Sequence, residues 1–358
     1  MAYKLYKNAK IDGKLCDFEV IDGKFGKIGE IEGNGTDLDG LDVFPGLIDL
    51  HCHGALGNDA YYGFDKLGEI SMFMAENGTT CWYPTIGSIS HDRFDKAMEE
   101  NFEGLPGACI PGFHLEGPYI SGSALGSGSS SNINTPKKRA IPFIEKVKLM
   151  NVAPEVEGVI DFIKEHKDIK FALGHTNADY ELSLTAMEAG ADSLTHIFNA
   201  MPGLHHREPG PVGAAIEKNA YVQLICDGIH IHKSVVTSVY RIFGKERVIL
   251  ISDAVCGLGL PDGEYVIHGN IKRIIKDGAI RTETGKLAGS ASTLFRDVTK
   301  AIEFGIPRED AFYMASATPA RYMGLNKGFI RSGFDADFIV VDEENRLVSS
   351  YVSGEKIK

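Results

Sequence analysis

The 358-residue sequence has no long hydrophobic run and no excess of positive charge. No apolar stretch approaches the ~20 residues that a membrane-spanning helix needs. The first residues lack the apolar core of a secretion signal, so we expect neither membrane insertion nor export. Lysine and arginine number 37 against 49 acidic residues, a formal net charge of -12. Because a nucleic-acid backbone is bound by a basic face, we do not expect nucleic acid as a partner.

Cysteine pairs at the spacing of metal or redox motifs are also missing. The six cysteines lie apart in strand-like segments, and no two form a CxxC motif. We interpret them as reduced, mostly buried thiols of a cytoplasmic protein. Cys52 stands between His51 and His53, but in a strand its side chain points to the opposite face, which favours a structural role.

Apolar residues are nevertheless abundant, at 43% of the chain, and they occur in short runs. Eight β-like runs separated mostly by helix-like segments lie between residues 43 and 253. The runs are Val43–His51, Thr79–Thr85, Cys109–His114, Val147–Val152, Ile169–His175, Ser193–Ile197, Tyr221–Cys226 and Val248–Ser252. This alternation predicts a parallel sheet, and eight repeats favour closure into a (β/α)8 TIM barrel over a doubly wound open sheet.

The two ends of the chain have a different pattern. Residues 3–43 contain short alternating strands separated by Asp-Gly pairs, which are hairpin signals, and residues 328–358 behave likewise. We therefore expect residues 1–44 and 326–358 to form a small β-sandwich beside a barrel of residues 45–325. The β-rich stretch 263–281 is expected to be an insertion after the eighth strand.

Six potential metal ligands or proton carriers fall at the C-terminal ends of the β-like runs. They are His51, His53, Glu116, His175, His196 and Asp253. Parallel barrels carry their catalytic groups at that end of the strands. Imidazole and carboxylate without thiolate suit zinc, iron, manganese or cobalt, held with an open position for water. Such an ion lowers the pKa of a bound water to about 7 and supplies hydroxide at neutral pH.

Asp253 has three possible roles, as a ligand, a proton carrier or a helix cap at a strand end. Amide hydrolysis needs a group that takes a proton from the attacking water and returns it to the leaving amine. A carboxylate beside a metal suits both steps, so we prefer the role of proton carrier. The six residues together predict a metallohydrolase on a barrel.

The sequence resembles the N-acetylglucosamine-6-phosphate deacetylases of the amidohydrolase superfamily almost from end to end. The matching segments are residues 45–54, 114–118, 153–155, 174–176, 195–202, 207–210, 227–230, 252–254 and 287–290. The first segment and the aspartate of the segment 252–254 are shared across the superfamily. The Asn-Ala-Met-Pro, Arg-Glu-Pro-Gly and Asp-Gly-Ile-His blocks are much more specific.

The resemblance implies a reaction, a cofactor and an assembly. The reaction is deacetylation of an N-acetylhexosamine 6-phosphate, first of all N-acetyl-D-glucosamine 6-phosphate, to the amino sugar phosphate and acetate. The cofactor is one or two divalent ions, zinc before iron, manganese or cobalt. Glu116, His175 and His196 match the principal ligands, and His51 and His53 match a pair that adds a second ion in some members. The assembly is a homodimer whose active site borrows residues from the neighbouring subunit.

The resemblance also assigns the acid/base and the substrate contacts. Asp253 matches the catalytic acid/base. The positions that match substrate contacts are Asn199, Ala200, Arg207, His230, Leu287, Ala288 and Gly289, with Arg207 and His230 on the phosphate side. A planar guanidinium suits that task because it holds a phosphate through paired, charged hydrogen bonds.

One segment departs from the family pattern. After Pro118 the family carries a lysine-rich stretch that ends in Gly-Ala-His or Gly-Ala-Gln, whose last residue contacts the substrate acetamide. Residues 121–132 are instead rich in glycine and serine and contain neither histidine nor glutamine. This composition is typical of a flexible loop and leaves carbonyl polarisation more to the metal. A natural lid, a divergent substrate loop and an altered sequence are three open interpretations.

Two other functions share parts of this pattern. A dihydroorotase-like or hydantoinase-like ring opener would use a carboxylated lysine at the end of the fourth strand, but Lys146 and Lys148 lie at the start of that strand. Glu116 can fill the bridging role instead. A non-catalytic sugar-phosphate binder would have no use for the proton carrier Asp253.

Overall fold

The two ends of the chain form one β-sheet. In this computed structural model, which describes residues 2–87, 89–125, 133–267 and 271–358, the sheet has eight strands. They are β1 (Tyr3–Ile11), β2 (Lys14–Ile21), β3 (Lys24–Gly29), β4 (Thr36–Asp37), β5 (Asp42–Pro45), β20 (Phe338–Val341), β21 (Leu347–Val352) and β22 (Glu355–Lys356). The order is β22-β21-β20-β5-β1-β2-β3, with β4 paired to β1. Both residues of each Asp-Gly turn, at 12–13 and 22–23, have the positive φ that a tight hairpin requires.

Aromatic side chains fix the shape of this terminal sheet. The rings of Phe18 on β2 and Phe338 on β20 are both buried, with centroids 5.1 Å apart. Two strands separate β2 from β20 in the sheet, and at about 4.8 Å per strand a flat sheet would hold them about 14 Å apart. The sheet therefore folds back on itself around Tyr6, Phe25 and Tyr351. Its two halves face each other as in a sandwich but belong to one continuous sheet.

Eight parallel strands form the larger part of the molecule. They are β6 (Leu47–Cys52), β9 (Thr79–Ile86), β10 (Phe113–Glu116), β11 (Val147–Val152), β12 (Lys170–Leu173), β13 (Ala191–Leu194), β14 (Tyr221–Ile225) and β15 (Val248–Ile251). Each pairs with its neighbour in this order, and a bridge between Cys52 and Ala254 brings the first strand against the last. This nearly closed ring confirms the predicted barrel. The short strands β7 (Gly54–Ala55) and β8 (Asn58–Asp59) form a hairpin after β6.

Helices surround the barrel strands. In the described ranges they are α1 (Phe64–Glu76), α2 (His91–Glu99), α3 (Val159–Glu165), α4 (Tyr180–Ala189), α5 (Gly210–Glu217), α6 (Lys233–Phe243), α7 (Leu294–Glu303), α8 (Arg308–Ala315) and α9 (Ala317–Met323). None of these helices combines the length and the apolarity needed to cross a bilayer. Their apolar faces pack on the outside of the ring in the largest hydrophobic cluster. The interior is filled by side chains such as Ile48, Leu149 and Ile249, so the strand ends are held by packed cores on both sides.

The predicted insertion is a four-stranded antiparallel sheet. Its strands are β16 (Gly263–Ile267), β17 (Ile271–Lys276), β18 (Ala279–Thr282) and β19 (Leu287–Ser290). It is longer than the stretch 263–281 suggested by the sequence, because β19 returns to the barrel. There Ser290 bridges to Ala254, next to Asp253.

The predicted run Val147–Val152 has the observed boundaries, and five other runs differ from the observed strands by one to three residues at an end. Two predicted strands have larger errors. The run Val43–His51 is two strands, since β5 belongs to the terminal sheet and β6 to the barrel, with Gly46 between them. A Cβ at Gly46 would overlap the Thr80 side chain, so the close approach of the two chain segments requires glycine here. The run Cys109–His114 starts too early, because Pro111 has no N–H to give to a ladder and β10 begins only at Phe113.

Candidate metal centre

The six predicted site residues lie together at the carboxyl end of the barrel. His51 is on β6, and His53 lies one residue beyond its end. Glu116 is the last residue of β10, while the remaining three lie two residues beyond their strands. These three, His175, His196 and Asp253, have positive φ values of 46°, 29° and 46°. Such backbone conformations cost free energy in residues other than glycine and occur at sites where the fold holds a side chain in a required direction.

Glu116 stands at the middle of the cluster. Its Oε1 atom is 2.9 Å from His175 Nε2 and 3.0 Å from His196 Nε2. Its Oε2 atom is 3.4 Å from His53 Nε2. Two groups of potential ligands therefore share this carboxylate, one formed with His175 and His196 and one with His51 and His53, and within each group the ligand atoms lie within 4.8 Å of one another.

The spacing of the donor atoms fits one or two divalent ions. The Nε2 atoms of His51 and His53 are 3.1 Å apart, as are those of His175 and His196. Two imidazole lone pairs at this distance repel unless a proton or a cation lies between them. Donors about 2.1 Å from a tetrahedral ion are about 3.4 Å from each other, close to the spacing seen here. Four convergent imidazoles and a shared carboxylate thus form a donor set for a metal.

The candidate ligands differ in how their rings are held. His175 donates from Nδ1 to the carbonyl of Ala124 at 2.8 Å, which leaves Nε2 free to face Glu116. This is the arrangement that fixes the tautomer of a ligating histidine. The ring of His51 packs edge to face on that of His114, with centroids 4.5 Å apart. The Nδ1 atoms of His51 and His196 have no hydrogen-bond partner in the described part of the chain.

Burial and charge shift the pKa values of the cluster's side chains in opposite directions. Burial lowers the pKa of His51 to about 4. Burial also acts to lower the pKa of His53, but the charges of Asp253 and Glu116 outweigh it and raise that pKa to about 9. Burial would raise the pKa of Asp253, yet the imidazoles of His51 and His53 lower it. At neutral pH the ion-free cluster therefore holds a proton on His53, beside an ionised Asp253.

Asp49 holds two backbone segments that carry site residues, although the sequence did not lead us to predict this role. It is fully buried. Its Oδ2 atom accepts a hydrogen bond from the Ser252 hydroxyl at 2.6 Å, and its Oδ1 atom accepts one from the backbone N–H of His51 at 3.2 Å. These bonds tie β6 to the segment that carries Asp253. The signal available in the sequence was its position two residues before His51, on the same face of a strand.

Most of the predicted substrate positions also lie at this end of the barrel. The backbone N–H of Ser290 donates to the Asp253 carbonyl at 3.0 Å, which places Gly289 beside Asp253. Leu287 and Ala288 precede Gly289 on β19. Asn199 donates from Nδ2 to the carbonyl of His196 at 3.1 Å. A second carbonyl, that of Ala200, accepts the N–H of Thr176 next to His175.

The two residues predicted to contact the phosphate, His230 and Arg207, differ in burial and in their hydrogen bonds. His230 is mostly buried, and its Nδ1 atom is 2.6 Å from Asp227 Oδ2. Arg207 is exposed, and the hydrogen bond seen for its guanidinium is to the neighbouring His206. Among the described residues, no hydrogen bond or ion pair joins Arg207 to the other predicted site residues.

The glycine- and serine-rich segment is only partly described. Residues 126–132 lie outside the described residues, whereas Ser121 and Ala124 both bond to His175. The backbone N–H of Ser121 donates to the His175 carbonyl at 2.9 Å, and Asn177 donates to Ser123 Oγ at 2.7 Å. These bonds keep the Ala124 carbonyl in place against His175.

Neither Lys146 nor Lys148 is placed to act as the bridging lysine that a ring-opening enzyme would need. Lys146 Nζ donates to the carbonyls of Met98, Glu99 and Glu100, and Lys148 Nζ donates to that of Glu145. Both lysines precede or begin β11, whereas the metal centre lies at its other end. Asn151 and Val152 end this strand. The structure therefore favours Glu116 as the shared carboxylate.

Comparison with known proteins agrees with this geometry. Residues 43–356 match the model of the amidohydrolase family. The chain is 32% identical to the N-acetylgalactosamine-6-phosphate deacetylase of Escherichia coli, over 96% of both chains. It is also 32% identical to the N-acetylglucosamine-6-phosphate deacetylase of Vibrio furnissii, over 91% of this chain and 85% of that protein. A Mycobacterium smegmatis N-acetyl-D-glucosamine-6-phosphate deacetylase mutant, solved with N-acetyl-D-glucosamine-6-phosphate, superposes with a TM-score of 0.90 at 26% identity and covers all of both chains.

Proposed function

The chain belongs to the amidohydrolase family, and from this premise we propose that it deacetylates an N-acetylhexosamine 6-phosphate. The products are the amino sugar phosphate and acetate. The observation that carries the proposal is the convergence of four imidazoles, Glu116 and Asp253 at the barrel mouth, in a chain that matches deacetylases over more than nine-tenths of its length. N-acetyl-D-glucosamine 6-phosphate is the first choice of substrate, and the galacto epimer is the second because of the Escherichia coli relative.

We assign the ligand roles as follows. Glu116, His175 and His196 would hold the principal divalent ion, and His51 and His53, with Glu116 within reach, would hold a second. Zinc is the first choice, since imidazole and carboxylate ligands without thiolate suit it, and iron, manganese and cobalt are the alternatives. A bound ion supplies Lewis acidity and lowers the pKa of a water in its coordination shell.

Asp253 is assigned as the proton carrier. Its Oδ1 atom lies 3.2 Å from His51 Nε2, at the centre of the cluster. The lowered pKa leaves this carboxylate ionised at neutral pH, and so able to accept a proton from the attacking water. Oδ1 then returns the proton to the leaving nitrogen, which must be protonated for the amine to depart. The hydrogen bonds that Ser252 donates to Asp49 fix the backbone next to this carboxylate.

The substrate lies between two walls in this assignment. The backbone of Leu287, Ala288 and Gly289 forms one wall, and Asn199 with Ala200 forms the other. His230 and Arg207 contact the 6-phosphate. Because Arg207 is exposed and bonded only to its neighbour in the described chain, we propose a homodimer in which this arginine reaches the active site of the partner subunit.

Two further assignments accompany this function. We propose that residues 1–44 with 326–358 form the small β-domain and residues 45–325 the hydrolase domain. We also propose a cytoplasmic location, which is supported by six cysteines that are all unpaired thiols in the structure.

A substrate panel tests the function. The metal-loaded protein would be incubated with the 6-phosphates of N-acetylglucosamine, N-acetylgalactosamine and N-acetylmannosamine and with free N-acetylglucosamine, and acetate and amine would both be measured. We expect acetate and amine in equal amounts, fastest from a 6-phosphate. Equal rates for phosphorylated and free sugar would contradict the phosphate assignment. Hydrolysis of dihydroorotate or hydantoin in place of the sugars would replace the proposal.

A further inference from the structure

A carboxylate and an imidazole form a buried pair in the turn after β14. Asp227 Oδ2 is 2.6 Å from His230 Nδ1. Asp227 Oδ1 accepts the backbone N–H groups of Ile229 at 2.8 Å and His230 at 2.9 Å. The side chains of Asp227 and His230 are only 1% and 6% exposed. One carboxylate therefore fixes both the backbone of the turn and the ring of His230.

From this pair we propose that Asp227 is a positioning residue that keeps His230 in its cationic form, with Nε2–H directed at the phosphate of the substrate. The inference rests on the proposed function, which places a 6-phosphate against His230. It adds a residue that acts through His230 and does not itself contact substrate. The expected ligand group is a phosphate dianion.

The chemistry of imidazole explains why a charged partner matters. In the neutral ring one nitrogen donates and the other accepts a hydrogen bond. Since Nδ1 faces the Asp227 carboxylate and must donate, Nε2 of a neutral ring would present a lone pair to the incoming anion. Only the cationic ring donates from both nitrogens and carries an attractive charge. The carboxylate thus decides whether His230 attracts or repels a phosphate.

The surroundings of His230 support the cationic form. Burial acts to lower its pKa, but the hydrogen bond and charge of Asp227, assisted by Asp253, raise it above the usual value. Arg281 acts in the opposite direction from β18. Lys300 lies nearby on α7, with its stem against Gly228 and its ammonium group paired with Glu303 at 2.5 Å. The balance of these charges favours the protonated form of the ring.

Asp227 has a simpler possible role, as a cap that only shapes the turn. An asparagine would serve that role equally well, because its side-chain oxygen also accepts backbone N–H groups. With that oxygen on the backbone N–H groups, its amide nitrogen would face His230 Nδ1 and donate to it, which favours the neutral ring and removes the negative charge. Asp227→Asn therefore removes the charge and keeps the turn, whereas Asp227→Ala removes both.

The first measurement is independent of enzyme activity. The pKa of His230 would be followed by NMR of its Cε1–H in the metal-loaded protein, with His230→Gln to assign the signal. We expect a value above 6.5 in the wild type and below 6.5 in Asp227→Asn. An unchanged value in Asp227→Asn would overturn the proposal. This readout remains decisive even if no sugar is hydrolysed, in which case the proposed function fails separately.

The second measurement compares two substrates at two pH values. At pH 8 the ratio of kcat/KM for the phosphorylated sugar to that for the free sugar should fall about tenfold in Asp227→Asn, as expected for loss of one charged contact. The fall should appear in KM and should become smaller at pH 5.5, where the 6-phosphate has lost most of its second charge and a cationic ring contributes less to binding. In a His230→Gln background the same change should have no further effect. An equal loss at both pH values, or with both sugars, would show that Asp227 only shapes the turn.

Discussion

Binding of a divalent ion to His51 and His53 should release a proton from the protein. The pKa of His53 is raised to about 9 in the ion-free cluster, whereas that of His51 is lowered to about 4. At pH 7.5 a group with a pKa of about 9 is about 97% protonated, and at pH 9 it is about half protonated. A metal ligand must be deprotonated. The ion at this pair should therefore displace close to one proton from His53 at pH 7.5 and about half a proton at pH 9.

Titration calorimetry in buffers of different ionisation enthalpy measures this release. Zinc would be added to the ion-free wild type at both pH values, and His53→Gln would serve as the control that lacks the titrating ring. The pH trend separates His53 from a water on the ion, because proton release from such a water increases with pH while release from His53 decreases. A release near zero at pH 7.5, or one that increases between pH 7.5 and pH 9, would refute the claim that His53 is protonated before the ion binds and loses its proton on binding.

Three further predictions follow from single positions. Asp253→Asn should stay folded and keep its metal but lose about 10²-fold or more in turnover, and wild-type acetate release would leave Asp253 without a proton-transfer role. Arg207→Ala should raise KM for the 6-phosphate about ten- to hundredfold in steady-state assays and spare the free sugar, whereas equal effects on both sugars would contradict the phosphate contact. Gly46→Ala should lower the free energy of unfolding by about 1–3 kcal/mol, because the new methyl group overlaps Thr80. Gly203→Ala, which meets no atom within 4 Å, is its control in the same denaturant titration, and equal stabilities would contradict the steric argument.

The barrel and its ring of candidate ligands were predictable because they follow from local pattern and one general rule. Apolar runs alternate with helical segments, and side chains at the carboxyl ends of parallel strands meet at one end of a barrel. His51, Glu116 and His196 each follow this rule, and the structure brings them together. Their assignment as metal ligands remains a prediction.

Other features depend on contacts that no local pattern records. The break at Gly46 arises from the approach of Thr80, more than thirty residues further along the chain. Asp49 is bonded to Ser252 across the closing seam of the barrel, and this bond exists only once the ring forms. Asp227 and His230 are close in sequence, but the sequence does not show whether Asp227 acts as a charged partner of His230 or only caps the turn.

The measurement that tests the central claim most directly is acetate release before and after metal removal. Wild-type protein would be stripped of divalent ions with a chelator and assayed with N-acetyl-D-glucosamine 6-phosphate, then assayed again after zinc, manganese or cobalt is added. His196→Ala would be treated in parallel. The proposed site predicts that stripping abolishes turnover, that added ion restores it in the wild type, and that His196→Ala neither retains the ion nor recovers. Full activity in the stripped protein, or normal metal content with normal turnover in His196→Ala, would contradict the claim.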